Sequence, residues 1–178
     1  MTYTLITGAS AGIGEVFAKQ LAQQGNNLIL TARRKEKLDD LAKQLSTTYK
    51  INVETLAADL SVSEGASIIA QQVEKAGWKI NGLINNAGFG DRGAFMDLTL
   101  ERQLQMIQLN VTTLVELTYH LLPNIKQNKD AYIINVASTA AFQAGPKMAI
   151  YYATKAFVLS FSEALYEELK NDNIYVSA

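Results

Sequence analysis

The sequence predicts an α/β fold, a doubly wound parallel sheet with helices on both faces. Short apolar runs alternate with longer stretches of helical spacing, and no internal repeat interrupts that order. Strands joined by helices form βαβ units, whose crossovers cover both faces of a parallel sheet. The runs are apolar along their length rather than alternating with polar residues, as expected for strands buried on both faces.

Six short runs, rich in β-branched and apolar residues, are the predicted strands. Each is bounded by residues that favour turns, such as Gly, Asn, Asp and Ser. In chain order the strands cover residues 3–7, 27–31, 52–57, 83–85, 132–136 and 174–176.

The stretches between these strands carry apolar residues three and four positions apart, which predicts helices. The first helix ends before Gly25, the expected left-handed residue after a helix. The third is predicted to be capped by Ser61 or Ser63. In chain order the helices cover residues 13–24, 34–48, the segment from that serine to Ala76, 100–126 and 148–169.

Composition and charge exclude several classes of function. The 178 residues fit one domain, and 16 Lys and Arg against 17 Asp and Glu give a net charge of −1. Balanced charge argues against a nucleic-acid or polybasic membrane surface. There is no cysteine, and the single histidine, His120, leaves no usual metal site. No apolar window is long enough to span a membrane and no leader is recognisable, so we expect a cytoplasmic protein.

The glycine-rich turn after the first strand has the features of a phosphate-binding loop. It reads GASAGIG over residues 8–14. Glycines let the backbone approach a pyrophosphate, and the following helix offers free N–H groups and the positive end of its dipole. The G-x-x-x-G-x-G spacing differs from the common fingerprint, and a purely structural turn is the alternative. Its position between strand and helix favours dinucleotide binding.

The end of the second strand carries two arginines, Arg33 and Arg34, and no acidic residue. An acidic residue there would bind the ribose 2′-hydroxyl of NAD, whereas an arginine suits the 2′-phosphate of NADP. The guanidinium group recognises phosphate through two parallel hydrogen bonds. The alternative is the solvated start of a helix, which applies more to Arg34 than to Arg33. NADP is therefore favoured over NAD.

Polar residues also follow the third and fourth strands. Asp59 and Leu60 come after the third strand, and Asn85–Gly88 ends the fourth and forms its turn. Asp and Asn are common turn residues, so composition alone leaves their role open.

A serine, a tyrosine and a lysine follow the fifth strand. Tyr151 and Lys155 are four positions apart and share one helical face, and Ser138 ends the strand. A neighbouring ammonium favours the phenolate, which makes Tyr151 a candidate general acid and base. Tyr166 and Lys170 have the same spacing but lie far from any strand end, which predicts a surface pair.

Together these motifs resemble those of the short-chain dehydrogenase/reductase family. They follow one another in the same order as in the family, and the resemblance covers the whole chain. The matching segments are Thr7–Gly14 (TGASAGIG), Asp59, Asn85–Gly88 (NNAG), Asn110, Ser138, and Tyr151 with Lys155. The resemblance implies a Rossmann-type fold in one dinucleotide-binding domain over residues 1–178, and an NADP-preferring branch of generic reductases. Relatives continue further, so we expect a chain truncated within the sixth strand and lacking the family's last strand or strands.

The resemblance also implies a role for each matching residue. Tyr151 exchanges a proton with the substrate oxygen, Lys155 lowers the pKa of Tyr151 and holds the nicotinamide ribose, and Ser138 hydrogen-bonds the substrate oxygen. Asn110 holds a water that links Lys155 to solvent; the alternative is a polar residue in a long helix. Ala11 departs from the pattern, since many NADP-preferring members have a basic residue there. The implied cofactor-binding residues are Gly8, Ser10, Gly12, Ile13, Gly14, Arg33, Asp59, Leu60, Asn86, Ala87, Gly88, Tyr151 and Lys155.

These roles imply an NADP(H)-dependent oxidoreductase that moves a hydride between nicotinamide and a carbonyl or secondary alcohol, without a metal. Residues 89–95, 139–142 and Met148 are predicted to face the substrate, and their aromatic members either favour an apolar compound or belong to the core. A nucleotide-binding module without turnover and an inactive fragment are the alternatives. The resemblance also implies a homodimer or homotetramer through the helices near 100–126 and 148–170. We expect no nucleic-acid or membrane partner.

Overall fold

The protein is built on a six-stranded, fully parallel sheet in a computed structural model that describes residues 1–178. The spatial order of the strands is β3-β2-β1-β4-β5-β6. Because the order reverses between β1 and β4, a crevice opens at their carboxyl ends. The strands are β1 Tyr3–Thr7, β2 Asn27–Ala32, β3 Val53–Ala57, β4 Ile80–Asn85, β5 Ala131–Asn135 and β6 Ile174–Ser177.

The structure has six helices, and five of them cover the two faces of this sheet. They are α1 Gly12–Gln23, α2 Lys35–Tyr49, α3 Gly65–Ala76, α4 Leu100–Ile107, α5 Thr113–Ile125 and α6 Ala149–Leu169. Helices α1 and α2 pack on one face through a buried cluster that includes Ile6, Leu28 and Leu38. Helices α3, α5 and α6 pack on the other face, around Leu5, Leu83 and other buried residues. The predicted doubly wound α/β fold is confirmed.

The fourth strand is longer than predicted, since it begins at Ile80 and not at Leu83. Asn and Gly are poor strand formers, so the sequence did not predict the first half of this strand. Gly82 is needed there because the hydroxyls of Thr4 and Tyr132, 2.7 Å apart, lie over it. A Cβ at position 82 would lie only 2.5 Å from the Tyr132 ring and 2.7 Å from the Thr4 hydroxyl.

The predicted serine cap of the third helix is wrong. Helix α3 begins at Gly65 after Glu64, and no side chain caps it. Ser61 instead donates its hydroxyl and its backbone N–H to the Asp59 carboxylate, at 2.6 and 2.9 Å. Asp59 therefore organises a local turn that competes with helix capping. The predicted left-handed residue after α1 is confirmed, because Gly25 has a φ of +83°.

The predicted long helix over 100–126 is interrupted. Helices α4 and α5 are joined by one turn of π-helix, Gln108–Thr112. Such turns insert one residue into a helix and occur often at functional sites. Asn110, the family-matching polar residue, lies in this turn and is 2 % exposed. None of the helices combines the length and the apolar character of a transmembrane segment.

Candidate active site

The carboxyl ends of β1 and β4 are tied together by Thr7. Its hydroxyl oxygen accepts the backbone N–H groups of Asn86 and Ala87, at 2.9 and 2.8 Å. The Asn86 amide donates in turn to the Thr7 carbonyl, at 2.9 Å. The glycine-rich loop and the Asn86–Gly88 turn are therefore one unit at the crevice. Thr7 belongs to the matching motif, but sequence reasoning assigned it no role; a threonine directly before the loop glycine was the signal.

Two glycines of the loop are required by close packing. Gly8 has a φ of +66°, and a Cβ there would lie 2.8 Å from the Asn86 amide nitrogen. A Cβ at Gly14 would lie 2.5 Å from both the Gly8 carbonyl oxygen and that amide. Helix α1 starts after Ala11, and no side chain caps its first N–H groups. The loop thus leaves a helix N-terminus open toward the crevice, which suits an anionic group.

The predicted basic pair lies beside this loop, and its two members differ. Both arginines are exposed, and the charge of Arg33 acts on Asp59. The Arg34 guanidinium donates to the Ser10 hydroxyl at 3.0 Å and to the Ser10 carbonyl at 3.3 Å. The alternative of a solvated helix start applies more to Arg34 than to Arg33. Arg34 does lie exposed directly before α2, and its side chain also reaches the glycine-rich loop. Two guanidinium groups at this edge could hold a phosphate.

Asp59 and Leu60 lie after β3 on the same side of the crevice. Burial opposes ionisation of Asp59, but the hydrogen bonds from Ser61 and the Arg33 charge outweigh it, so the pKa of Asp59 is lowered. Leu60 is 4 % exposed, and its carbonyl accepts the Thr113 hydroxyl at 2.7 Å. Its backbone amide is therefore the group that Leu60 can offer to a cofactor.

Asn110 connects the π turn to the segment after β4. Its amide donates to the Phe89 carbonyl at 2.9 Å and to the Thr154 hydroxyl at 3.1 Å, and its oxygen accepts the Phe89 N–H at 3.0 Å. Both amide hydrogens are thereby used, and the side chain could meet a water only through its oxygen. A Cβ at Gly88 would lie 3.0 Å from that oxygen and 3.7 Å from Lys155 Nζ, so both groups surround Gly88.

Lys155 is brought to the end of β5 by helix α6. Its side chain is 7 % exposed, and Nζ donates to the Val136 carbonyl at 2.6 Å. Nζ lies 5.9 Å from the centre of the Tyr151 ring. Burial lowers the pKa of Lys155, because a charged ammonium is poorly solvated there. Lysine and tyrosine thus share one face of α6 beside the sheet, as their spacing predicted.

Ser138 follows Val136 by two residues and begins a short 3-10 turn, Thr139–Phe142. Its hydroxyl accepts the Ala140 N–H at 3.1 Å, which fixes the side chain. Ser138 lines a groove of about 410 Å³ together with Ile13, Val136 and Phe142. The groove therefore adjoins both a catalytic candidate and the start of α1.

The residues that are expected to face the substrate lie in different surroundings. Met148 lines a small cavity of about 60 Å³ beside Tyr151. Phe95 and Phe142 are 59 % and 76 % exposed, so neither belongs to the core. The Phe89 ring lies under the Arg102 guanidinium, 3.9 Å from its centre. His120 lies far away, in a groove of about 630 Å³ with Trp78 and Lys79, which precede β4 at the opposite end of the sheet.

The candidate residues thus form two neighbouring groups along the carboxyl edge of the sheet. The first group surrounds the glycine-rich loop and the ends of β2 and β3. The second surrounds Lys155 and joins Asn110, Gly88 and Tyr151. Their individual roles stay predictions. The predicted surface pair of Tyr166 and Lys170 lies on α6 and just beyond it, where Lys170 forms an ion pair with Glu167.

The comparisons with known proteins agree with this geometry. A family model described as short chain dehydrogenase matches residues 2–178. The chain belongs to the short-chain dehydrogenase family. A short-chain dehydrogenase from Sphingobium yanoikuyae, solved in complex with NADPH, is 38% identical with a TM-score of 0.92, over 99% of this chain and 69% of that one. The bulky-bulky ketone specific alcohol dehydrogenase from Comamonas testosteroni is 35% identical with a TM-score of 0.92, over 99% of this chain and 71% of that one.

Curated members of the family are also similar in sequence. The very-long-chain 3-oxoacyl-CoA reductase-A of Danio rerio is 35% identical over 182 residues, covering 99% of this chain and 56% of the relative. The chain spans about half the length of the first curated relatives that it matches.

Proposed function

We propose that this short-chain dehydrogenase is an NADP(H)-dependent oxidoreductase that interconverts a carbonyl compound and a secondary alcohol. The observation that carries the proposal is the buried Lys155 on the same helical face as Tyr151, beside the end of β5. Burying an ammonium is costly, so a buried lysine beside a tyrosine at the end of a strand is a candidate functional group.

Ser138 and the residues of the second group have complementary tasks. The nicotinamide, when bound, supplies or accepts the hydride. Tyr151 gives its phenolic proton to the substrate oxygen in reduction and takes it back in oxidation. Lys155 favours the phenolate by its charge and binds ribose hydroxyls. Ser138 donates to the substrate oxygen and stabilises the charge that develops there, and Asn110 holds the water that connects Lys155 to solvent.

The first group fits a dinucleotide with a 2′-phosphate. Gly8, Gly12 and Gly14 allow close approach of the pyrophosphate, and Ile13 lies at the open start of α1. Arg33 and Arg34 would bind the 2′-phosphate, with Ser10 between the loop and Arg34. The backbone and side chains on the adenosine side would come from Asp59, Leu60, Asn86, Ala87 and Gly88.

The surroundings of the site support an apolar ketone or aldehyde as substrate. Phe95, Phe142 and Met148 offer apolar surface near Tyr151 or Ser138. Two similar proteins are named for bulky ketones and for 3-oxoacyl-CoA, which are both carbonyl compounds. An apolar substrate would gain about 25 cal/mol for each Å² of apolar surface that it buries.

Association of two or four copies through the long helices is part of the proposal. Exposed apolar residues lie along these helices, where a partner helix could cover them; they are Leu100, Leu104, Tyr119, Phe157 and Tyr166. A cytoplasmic location, without nucleic-acid or membrane partners, is the corresponding proposal for the cell.

The experiment is oxidation of NADPH by the purified chain with a panel of apolar ketones and aldehydes, with NADPH binding measured separately. Carbonyl-dependent oxidation supports the proposed function. Binding of NADPH without oxidation of any panel member supports the nucleotide-binding module, and absence of both supports the inactive fragment.

A further inference from the structure

Gly90 packs against the ring of Tyr151. A Cβ at position 90 would lie 2.7 Å from Cδ2, 3.0 Å from Cγ and 3.1 Å from Cε2 of that ring. Ordinary contacts of a Cβ are 3.4–4 Å. A side chain at position 90 would therefore push the ring, or the segment that carries it, out of place.

Backbone conformation does not explain the glycine. Four glycines of the chain have positive φ angles, and Gly90 is not among them. Alanine could adopt the backbone of Gly90, so the space taken by Tyr151 is what excludes a side chain.

The residues on both sides of Gly90 are fixed to other elements. The Phe89 backbone is held on both its N–H and its carbonyl by the buried Asn110 side chain. Asp91 accepts a hydrogen bond from Arg102 Nε at 2.5 Å, and the same guanidinium lies over the Phe89 ring. Arg102 thus contacts both neighbours of Gly90 and connects them to α4.

A third attachment joins this segment to the loop before α6. The Gly93 N–H donates to the Lys147 carbonyl at 2.9 Å, and Lys147 has a φ of +65°. The Tyr152 ring meets the Tyr151 ring edge-on at 6.2 Å. Tyr151 therefore has Gly90 against the face of its ring and Tyr152 beside it.

We propose that Gly90, held by Arg102 and Asn110, is a positioning residue for the Tyr151 phenol. The inference rests on the proposed role of Tyr151 as proton donor and acceptor. Gly90 touches neither reacting atom, and it acts by fixing the ring relative to Lys155 and the substrate oxygen. A misplacement of about 1 Å can cost about 10²-fold in rate.

The test compares Gly90→Ala with Gly25→Ala. Both variants add one methyl group, but Gly25 lies between α1 and β2, away from the candidate site, and nothing lies within 4 Å of a Cβ there. We expect kcat to fall about 10- to 100-fold in Gly90→Ala, with NADPH affinity unchanged and a shifted pH profile of kcat. Gly25→Ala should keep the wild-type kcat and pH profile. Equal kcat and equal pH profiles in the two variants would overturn the positioning role.

Two further variants separate this proposal from the proposed function. Arg102→Met removes the guanidinium contacts with Phe89 and Asp91 without adding atoms at position 90. It should therefore also lower kcat, even if Gly90→Ala folds poorly. In a Tyr151→Phe background, Gly90→Ala should lower turnover no further. If Tyr151→Phe alone keeps wild-type turnover, the proposed proton-transfer role of Tyr151 fails, whereas a wild-type chain without carbonyl-dependent turnover contradicts the proposed function itself. The NMR signals of labelled tyrosine then decide the Gly90 contact: a Tyr151 signal that moves in Gly90→Ala and not in Gly25→Ala supports it, and an unmoved signal refutes it.

Discussion

Replacing Gly8 by alanine tests how tightly the glycine-rich loop is packed against the Asn86–Ala87 turn. At Gly8 alanine meets two penalties: a left-handed backbone with φ of +66° and a Cβ only 2.8 Å from the Asn86 amide and 3.1 Å from Ala87 Cα. Gly25 is the matched control, since its φ is +83° and nothing lies within 4 Å of its Cβ. The two variants share the backbone penalty and differ in the clash.

The expected difference follows from these terms. A left-handed alanine costs about 1–2 kcal/mol, and overpacking adds about 1–3 kcal/mol at Gly8 alone. In a chain of this size, 1 kcal/mol shifts Tm by about 2–4 °C. The Tm of Gly8→Ala should therefore lie about 2–12 °C below that of Gly25→Ala.

Calorimetry and NADPH titration measure the two consequences. Gly25→Ala should bind NADPH as the wild type does, whereas Gly8→Ala should bind at least about tenfold more weakly because its loop is displaced. Equal Tm values and equal NADPH affinities in the two variants would refute the tight packing of loop and turn.

Three other predictions concern the proposed site. Ser138→Ala should lower kcat about 10²- to 10³-fold with unchanged NADPH affinity, because one donor to the substrate oxygen is lost; steady-state kinetics check this. Arg33→Ala should weaken NADPH binding about 10-fold or more and leave NADH binding unchanged, while Arg34→Ala should have a smaller effect because Ser10 already holds that side chain; equal loss for both cofactors would contradict the phosphate role. Burial lowers the pKa of Lys155 in the folded chain. The unfolded chain therefore keeps this proton to a higher pH than the folded chain does. The energetic cost of burying the charged ammonium disappears as the pH rises toward the unfolded pKa of about 10.4. Any stability that Lys155→Met gains should therefore be greatest near neutral pH and shrink toward that value in urea unfolding series, and a gain that grows with pH would contradict the sign.

The fold could be predicted because its signals are local. Apolar runs and helical spacing mark strands and helices, and strands that alternate with helices admit few topologies. The start of β4 could not be predicted in this way. Asn81 and Gly82 disfavour a strand, and the Thr4–Tyr132 hydrogen bond that requires Gly82 joins residues 128 positions apart.

In the candidate site, too, local features could be predicted from the sequence, whereas contacts between distant parts of the chain could not. The residue types and their order were readable, including the spacing of Tyr151 and Lys155. The contacts that hold them were not. Three such contacts join separate elements: the hydrogen bonds between Asn110 and Phe89, the hydrogen bonds from Arg34 to Ser10, and the packing of Gly90 on Tyr151. Only the folded chain brings these residues together.

Tyr151 is the proposed proton donor and acceptor of this protein. The most direct test measures carbonyl-dependent NADPH oxidation and NADPH binding in Tyr151→Phe, with Tyr152→Phe as the matched control on the adjacent position of α6. We expect Tyr151→Phe to bind NADPH normally and to lose turnover, while Tyr152→Phe keeps most of it. Wild-type turnover in Tyr151→Phe would contradict the proton-transfer role of Tyr151.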